Sequence, residues 1–268
     1  MKYSFYPGCT LKSKAQKLEK SALAAAEELG IELRELDEWQ CCGGVYPLAG
    51  DELITKLAAV RGLVSARERG EKLVTLCTAC HHVLKRVNHV LAEDGEKRET
   101  VNDYLELSQP YEGETEVIHY LELLAEEIGF SELGTMIGSG LDGRKIAAHY
   151  GCMLLRPAEI MEFDDPENPE ILENFIEALG GQAVSLSRSN ECCGGYHALQ
   201  NEELASEMSS EILRSAENQG AEEIVTACPL CKYNFTQTMN VENKNSLKAV
   251  YICEILEEAL GITSHVSL

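Results

Sequence analysis

The stretch Gln40-Cys41-Cys42-Gly43-Gly44 is repeated later in the chain as Glu191-Cys192-Cys193-Gly194-Gly195. Each copy has one cysteine upstream and a Cys-x-x-Cys pair downstream, so ten of the eleven cysteines fall into two matching groups. The first cysteine set comprises Cys9, Cys41, Cys42, Cys77 and Cys80, and the second cysteine set comprises Cys152, Cys192, Cys193, Cys228 and Cys231.

The spacing within the two sets agrees. Cys42 and Cys77 are 35 positions apart, and so are Cys193 and Cys228, whereas the upstream intervals differ, at 32 and 40 positions. Cysteines scattered through a hydrophobic core would not recur in register. The sequence therefore predicts two copies of one metal-binding unit.

The chain is strongly acidic. Its 268 residues include 45 acidic and 23 basic side chains, which gives a net charge of −22. Such a surface repels the phosphates of nucleic acids and of anionic lipids, so we expect neither as a partner. Hydrophobic residues make up 44% of the chain, which is typical of a folded protein with a real core.

No run of about 18 apolar residues is present, and the first residues lack the apolar segment of a secretion signal. We therefore expect a cytoplasmic protein without membrane insertion. Because a reducing compartment disfavours structural disulfides, a metal or redox site is the preferred interpretation of the paired cysteine sets.

Short apolar strands alternate with helices in both halves. The predicted strands cover residues 2–6, 31–36, 72–76, 117–120, 145–150, 182–186 and 222–227, and the predicted helices cover 13–29, 51–69, 81–91, 121–128, part of 165–180, and 202–219. Residues 92–100 are charged and predict an exposed turn. The alternation predicts an α/β protein of two tandem repeated domains with parallel-type sheets. We assign one domain to residues 1–135, the other to 144–268, and a linker to about 131–143, where four glycines occur.

The predicted topology brings the cysteines together, because ligands collect outside the carboxyl ends of parallel strands. Thiolates bind soft metals: zinc, copper(I) or iron–sulfur clusters. Structural zinc takes four ligands, usually from two compact Cys-x-x-Cys pairs, whereas each set here has five cysteines and one such pair. Adjacent cysteines readily bind different irons of one cluster, and the double glycine lets the backbone approach the inorganic sulfides. The pattern favours iron–sulfur sites over zinc and over ten buried free thiols.

The two patterns, Cys-x31-Cys-Cys-x34-Cys-x-x-Cys and Cys-x39-Cys-Cys-x34-Cys-x-x-Cys, resemble the paired cysteine-rich CCG domains in the B subunit of heterodisulfide reductase. The resemblance covers nearly the whole chain. It implies that each cysteine set is a ligand set for one noncubane [4Fe-4S] cluster, which gives two clusters in all. It also implies that a disulfide such as coenzyme M–coenzyme B is reduced to two thiols between the clusters, each of which takes one sulfur.

The same resemblance implies partners. Electrons would enter from a small protein that carries cubane [4Fe-4S] clusters, similar to the C subunit of that enzyme, and beyond it from a flavin-containing protein similar to its A subunit. Hydrogenase, formate dehydrogenase or other electron-input subunits, as in electron-bifurcating complexes of anaerobic metabolism, are further expected partners. The Gly-x-Gly-x-x-Gly spacing at residues 138–143 falls in the predicted linker and precedes the predicted strand 145–150, whereas a dinucleotide-binding loop follows a strand and opens a helix. The sequence therefore predicts no flavin or nicotinamide site, and we expect the chain to depend on such subunits for hydride electrons.

A second hypothesis is that the chain is an electron-transfer iron–sulfur module, similar to those of lactate-utilisation and glycerol-phosphate dehydrogenase complexes. The presence of two complete sets favours the catalytic hypothesis, because cleavage between clusters requires both.

Several residues outside the two cysteine sets are candidates for proton transfer or anion binding. His197, which follows the second double cysteine, is the best candidate for a catalytic proton donor. His81, His82 and His149 are near cluster cysteines, but a packed or surface role is the preferred interpretation. Lys12, Lys14, Arg156 and Lys232 are candidate anion-binding residues. Cys253 aligns with Leu121 in the repeat and is predicted to be a core residue.

Overall fold

The computed structural model describes residues 1–44, 56–138, 140–241 and 247–262. Within these residues, eight strands form two four-stranded parallel sheets, and helices cover the sheets. None of the described helices is long and apolar enough to cross a membrane. The predicted α/β class with two repeated parallel sheets is confirmed.

The first half has the strand order β2-β1-β3-β4. Its strands are β1 (Lys2–Tyr6), β2 (Glu32–Glu35), β3 (Leu73–Thr75) and β4 (Val117–His119), and its helices are α1 (Gly8–Ser13), α2 (Gln16–Glu28), α3 (Leu57–Arg69), α4 (Thr78–Glu93), α5 (Gly95–Leu105) and α6 (Tyr120–Glu122), which continues as a π-helical segment (Leu123–Ile128). In the central strands Phe5 pairs with Glu35 on one side and with Val74 on the other.

The second half repeats this arrangement with the order β6-β5-β7-β8. Its strands are β5 (Lys145–His149), β6 (Gln182–Val184), β7 (Glu223–Thr226) and β8 (Lys248–Tyr251), and the helices that follow the first half are α7 (Phe130–Met136), α8 (Ala158–Met161), α9 (Ile171–Ala178), α10 (Glu202–Asn218), α11 (Pro229–Val241) and α12 (Ile252–Ala259). The matching strand order places the two cysteine sets at equivalent positions of the two sheets.

One hydrophobic core joins the two halves. Phe5 and Ile118 of the first sheet belong to the same buried cluster as Ile146, Phe175 and Leu256 of the second half. Each such side chain contributes roughly 1.5–3 kcal/mol when it is fully buried. Helix α2 of the first half packs against α12, the last helix of the second. The halves are therefore docked on each other through apolar surface.

Helix α2 shows how the sequence produces this docking. Leu18, Ala22 and Ala25 recur at helical spacing and are buried. The small alanines let α12 approach closely, and Ile255 and Leu256 of α12 are buried in the same cluster. The pattern that predicted a helix in the sequence thus also specifies the face that contacts the other half.

One expectation about a connecting segment was wrong. Residues 92–100, predicted to be an exposed turn, belong largely to α5, which begins after Asp94; the Asp94 carboxylate accepts a hydrogen bond from the Lys97 amide at 3.1 Å. This N-cap supplies the helix start that the charged composition concealed.

The segment 131–143 contains most of α7, where Leu133 is fully buried, so part of the predicted linker is packed helix. The division at residues 135 and 144 stays a prediction. The predicted helix 51–69 begins in residues 51–55, which lie outside the described residues, and its described part is α3.

Candidate metal centres

Both cysteine sets lie at the carboxyl edges of the sheets. Cys77 directly precedes α4 at the end of β3, and Cys80 lies in the first turn of α4. Cys228 and Cys231 occupy the equivalent positions between β7 and α11. This is the place where parallel sheets collect ligands, and it is where the sequence predicted the cysteines to meet.

The sulfur atoms of the first set are in contact. Cys9 Sγ lies 3.4 Å from Cys41 Sγ, and Cys42 Sγ lies 3.3 Å from Cys80 Sγ. Cys9 and Cys41 are exposed, whereas Cys42, Cys77 and Cys80 are buried. The first set therefore has two outer thiols and three inner thiols.

The second set has the same organisation. Cys193 Sγ lies 3.1 Å from Cys231 Sγ, and the thiol of Cys152 is hydrogen-bonded with that of Cys192. Cys152 and Cys192 are partly exposed, and the other three cysteines are buried. Each half thus gathers five thiols into one patch, with one side facing solvent and the other facing the core.

Two equivalent glycines let the backbone pass beside these sulfurs. A Cβ atom on Gly8 would lie 2.8 Å from Cys80 Sγ, and one on Gly151 would lie 3.4 Å from Cys231 Sγ. Both glycines also have positive φ angles, +73° and +71°, which L-residues rarely adopt. The sequence thus provides glycine where both the backbone and the thiol patch require it.

The double-cysteine loops also provide hydrogen-bond donors to sulfur. The Gly43 amide lies 3.5 Å from Cys41 Sγ, and the Gly194 amide lies 3.4 Å from Cys192 Sγ. Backbone donors of this kind stabilise thiolate ligands. The expectation that the double glycine brings amides towards the site therefore matches the geometry.

Two polar residues beside Cys193 were missed at the sequence level. The Asn234 amide donates to the Cys193 carbonyl at 2.9 Å and lies 3.9 Å from Cys193 Sγ, and the Ser209 hydroxyl donates to the same carbonyl at 2.9 Å. Both side chains are buried. Asn234 lies three positions after Cys231 on a helix, and residues at this spacing share one face of the helix. That spacing was the sequence signal that could have identified Asn234.

Hydrogen bonds among the thiols lower the pKa of the accepting thiol and raise that of the donating thiol. The bond from Cys41, together with that from Cys80, lowers the pKa of Cys42 to about 3. The bond from Cys152 lowers the pKa of Cys192 to about 6. The donors Cys41 and Cys152 have raised pKa values for the same reason. Each patch therefore favours a thiolate, the form that binds metals.

Thiolates are ligands for soft metals. Each half has five cysteines, a glycine that leaves room beside a sulfur, and a backbone amide that donates to a sulfur. These features together fit an iron–sulfur cluster. In the part of the chain that is described, no group of three or more histidine, cysteine or acidic side chains is placed so that it could hold a single metal ion. The sulfur contacts are pairwise within each patch.

The candidate proton donor His197 is exposed and begins a short 3₁₀ turn (His197–Leu199) after the second double cysteine. Its charge is among the causes that lower the pKa of Cys192, which places it near that thiol. Its catalytic role stays a prediction. His81 and His149 are fully buried, and burial lowers both pKa values, so these imidazoles are neutral near pH 7.

The candidate anion-binding residues mostly have acidic partners. Lys12 lies 2.6 Å from Glu19 and 2.6 Å from Glu35. Arg156 lies 3.0 Å from Glu167, and Lys232 pairs with Glu254. Lys14 is exposed. These contacts explain the three paired cations without a ligand. Cys253 is fully buried and lies 3.0 Å from the Leu18 carbonyl oxygen, at the contact of α12 with α2, in agreement with its predicted core position.

The two cysteine patches are neighbours across the interface of the halves. The Tyr196 hydroxyl, three residues after Cys193, donates to the carbonyl oxygen of Gly44 in the first double-cysteine loop. Met153 and Leu230 line the cavity of the second set and also pack against the core that contains Cys42 and Cys77. Side chains of the second half therefore occupy the space between the patches.

Comparison with known proteins gives a consistent result. A family model described as a cysteine-rich domain, CCG, matches residues 3–85 and again residues 146–236. The chain is 32% identical over 266 residues to the 8-methylmenaquinol:fumarate reductase membrane anchor subunit of Wolinella succinogenes, which covers 97% of this chain and 92% of that protein. It is 28% identical over 271 residues to the B subunit of the ferredoxin/F(420)H(2)-dependent CoB-CoM heterodisulfide reductase of Methanosarcina acetivorans, which covers 98% of this chain and 90% of that protein.

Among solved structures, a hypothetical protein from Helicobacter pylori has a TM-score of 0.75 and 17% sequence identity. The match covers 98% of this chain and 49% of that protein, so the chain spans about half of its length. This similarity concerns the fold alone.

Proposed function

Because the chain belongs to the family of paired cysteine-rich CCG domains that includes the B subunit of heterodisulfide reductase, we propose that it is the catalytic iron–sulfur subunit of a disulfide-reducing complex. The observation that carries the proposal is the contact between the two double-cysteine loops. The Tyr196 hydroxyl reaches the Gly44 carbonyl, so the two double-cysteine loops face each other. A disulfide held there would meet both sites.

We propose that the ten set cysteines are the ligands of two noncubane [4Fe-4S] clusters, one in each half. Three features support this assignment: five thiols in each patch, glycines beside the sulfurs, and amide donors to the outer thiols. A cubane cluster uses four cysteines, so a fifth thiol in both patches supports a larger ligand set. Zinc is the competing occupant, and metal analysis distinguishes the two.

The proposed reaction converts one disulfide, two electrons and two protons into two thiols. The clusters would supply the two electrons. The chain contributes the enclosure: Met153, Leu230 and Tyr196 surround the contact between the patches with mostly apolar surface, which limits the access of water. The exposed His197 beside Cys192 is the proposed proton donor, and the outer cysteines lie on the solvent side, where a substrate enters.

The proposed complex also supplies the electrons. We propose a small subunit with cubane clusters as the direct donor and a flavin-containing subunit behind it. The Gly-x-Gly-x-x-Gly spacing at residues 138–143 follows the helix α7 and precedes the strand β5, which is the reverse of the order in a dinucleotide-binding loop. Coenzyme M–coenzyme B heterodisulfide is the first substrate to test, since the Methanosarcina relative is named for that reaction. Oxidation of NADH by the isolated chain with a disulfide acceptor would contradict the need for these partners.

A second candidate function is electron transfer within a complex that does not reduce a disulfide. The specific support is the 32% identity to a fumarate reductase subunit. In that case the two clusters would relay electrons, and neither would bind a sulfur of the substrate.

Electron paramagnetic resonance (EPR) separates the two functions. The anaerobically purified chain is oxidised and its spectrum is recorded with and without coenzyme M. A new paramagnetic signal that broadens with ³³S-labelled thiol is expected for a disulfide-cleaving site. An unchanged spectrum, from a chain that contains its full iron, would support the electron-transfer function instead.

A further inference from the structure

Two backbone carbonyls lie together at the centre of the interface between the halves. Leu76 precedes Cys77, and Ala227 precedes Cys228, so each carbonyl is attached to the first cysteine of a Cys-x-x-Cys pair. The hydroxyl of Tyr251 contacts both carbonyl oxygens and lies 2.9 Å from that of Ala227. One side chain therefore connects the backbone beside both cysteine patches.

A second donor reaches the same pair of carbonyls. The Thr78 hydroxyl donates to the Ala227 carbonyl oxygen at 2.8 Å. Thr78 directly follows Cys77, so this bond runs from the first cysteine set to the backbone beside the second. Because Thr78 supplies the Ala227 carbonyl, the single proton of Tyr251 is available for the Leu76 carbonyl.

A third group, His119, faces these carbonyls. Its Nδ1 atom accepts a hydrogen bond from the Leu121 amide at 3.2 Å, so the proton of the neutral ring lies on Nε2. Burial lowers the pKa of His119 to about 4, and the Leu76 and Ala227 carbonyls partly oppose that shift. Among the described residues, the Nε2 atom of His119 has no hydrogen-bond partner, so this ring does not join the two halves by a hydrogen bond as Thr78 and Tyr251 do.

The repeat does not explain these contacts. His119 and Tyr251 occupy equivalent positions, and Thr78 is equivalent to Pro229, which has no side-chain donor. Thr78, His119 and Tyr251 are all at most 1% exposed. Burying a hydroxyl is unfavourable unless it is hydrogen-bonded. Each half places one hydrogen-bonded hydroxyl at this buried point, Thr78 in the first half and Tyr251 in the second.

We propose that Tyr251 and Thr78 are positioning residues that fix the separation and orientation of the two metal centres. This inference rests on the proposed function, because it requires a metal centre in each patch. The two sulfurs of a disulfide are about 2 Å apart, so sites that take one sulfur each must be held at a constant spacing. Hydrogen bonds to the residues next to Cys77 and Cys228 provide that constraint directly.

The test compares Tyr251→Phe with Tyr120→Phe. Tyr120 is equally buried and its hydroxyl donates to the Ala22 carbonyl at 3.0 Å, within the first half. Each change removes one phenol hydroxyl and keeps the ring. Iron content and the magnetic interaction between the two centres are measured by elemental analysis and by EPR at a potential where both centres are paramagnetic. We expect both variants to retain their iron and only Tyr251→Phe to shift the interaction splitting.

A second pair of variants keeps the test decisive if Tyr251→Phe misfolds. Thr78→Val removes the hydroxyl at nearly constant volume, and Thr78→Ser retains it. The splitting should shift in Thr78→Val and return in Thr78→Ser. An unchanged splitting in iron-replete Tyr251→Phe and Thr78→Val, or an equal shift in Tyr120→Phe, would overturn the inference alone. A wild-type chain that binds no iron under anaerobic reconstitution would overturn both this inference and the proposed function.

Discussion

Gly8 and Cys80 approach so closely that a methyl group on Gly8 would lie 2.8 Å from the sulfur of Cys80. Real side chains do not sustain such a contact, so one of the two must move. Gly8 lies at the start of α1 and Cys80 in the first turn of α4, so this contact fixes how closely those elements pack around the first patch.

Gly8→Ala should therefore displace Cys80 and release the metal of the first half. We expect bound iron to fall by about half relative to the wild type, since only one of two ligand sets is disturbed. The measurement is iron and acid-labile sulfide per chain after anaerobic purification.

Gly30→Ala is the matched control. Gly30 has a φ angle of +72°, close to the +73° of Gly8, but a Cβ there meets nothing within 4 Å. Both substitutions carry the same backbone strain, roughly 1–2 kcal/mol, and only Gly8→Ala adds the collision with sulfur. Equal iron loss in the two variants would show that backbone strain, and not the thiol contact, is responsible.

Asn234→Leu tests a hydrogen bond to a single ligand. The Asn234 amide lies 3.9 Å from Cys193 Sγ, and donors to sulfur stabilise the more negative, reduced state of a centre. We expect the midpoint potential of the second centre to become more negative, with the first centre unchanged, in an EPR-monitored redox titration.

Ser209→Ala is the comparison, because Ser209 donates only to the Cys193 carbonyl oxygen, at 2.9 Å. The Ser209→Ala change removes a hydrogen bond to the backbone of Cys193 and leaves the contact between Asn234 and the Cys193 sulfur in place. If Ser209→Ala shifts the potential as much as Asn234→Leu does, the effect arises from the position of the loop and not from the bond to sulfur.

The buried His149 predicts a stability that depends on pH. Within the part of the chain that the structure describes, neither ring nitrogen has a hydrogen-bond partner. The centroid of the ring lies 4.9 Å from that of Phe235, and burial lowers the pKa of His149 from 6.5 to about 3. The unfolded chain binds the proton more readily than the folded chain. The stabilising difference is therefore fully present above about pH 6.5 and is lost as the pH falls towards 3, by about 1.4 kcal/mol for each pH unit.

His149→Leu should flatten this dependence. The measurement is the free energy of unfolding from urea titrations between about pH 7 and pH 5. His89→Leu, at an exposed position, removes one imidazole from the surface and should leave the slope as in the wild type. A slope unchanged in His149→Leu would mean that other groups, such as the thiols, account for the acid sensitivity.

The sequence pattern predicted seven of the eight strands of the described residues and left out β8 (Lys248–Tyr251). The strands Lys2–Tyr6 and Lys145–His149 are short and mostly apolar, and a cysteine lies three positions after the end of each, so their type and their place could be inferred from local sequence. Helix α5 escapes prediction from composition because it buries one residue, Val101, among charged side chains, and because its start depends on the single N-cap residue Asp94.

The residues that join the halves could not be found in the same way. Nothing in the local sequence around Tyr251 indicates that its hydroxyl contacts the Leu76 and Ala227 carbonyls. The contact of Tyr196 with Gly44 spans 152 positions. Such contacts depend on how two separately patterned halves dock, and a pattern within one half carries no information about that geometry.

The cysteine substitutions Cys41→Ala and Cys193→Ala test the central claim, that a disulfide is cleaved between two clusters, most directly. Each variant is purified anaerobically, and iron content and disulfide reduction by reduced viologen are measured together. Cys253→Ala is the control, because Cys253 contacts Leu18 and belongs to neither patch.

We expect about eight irons per chain in the wild type and in Cys253→Ala, a marked loss of iron in each ligand variant, and no disulfide reduction by either ligand variant. Substantial disulfide reduction by a variant that demonstrably lacks one cluster would contradict cleavage between the two centres.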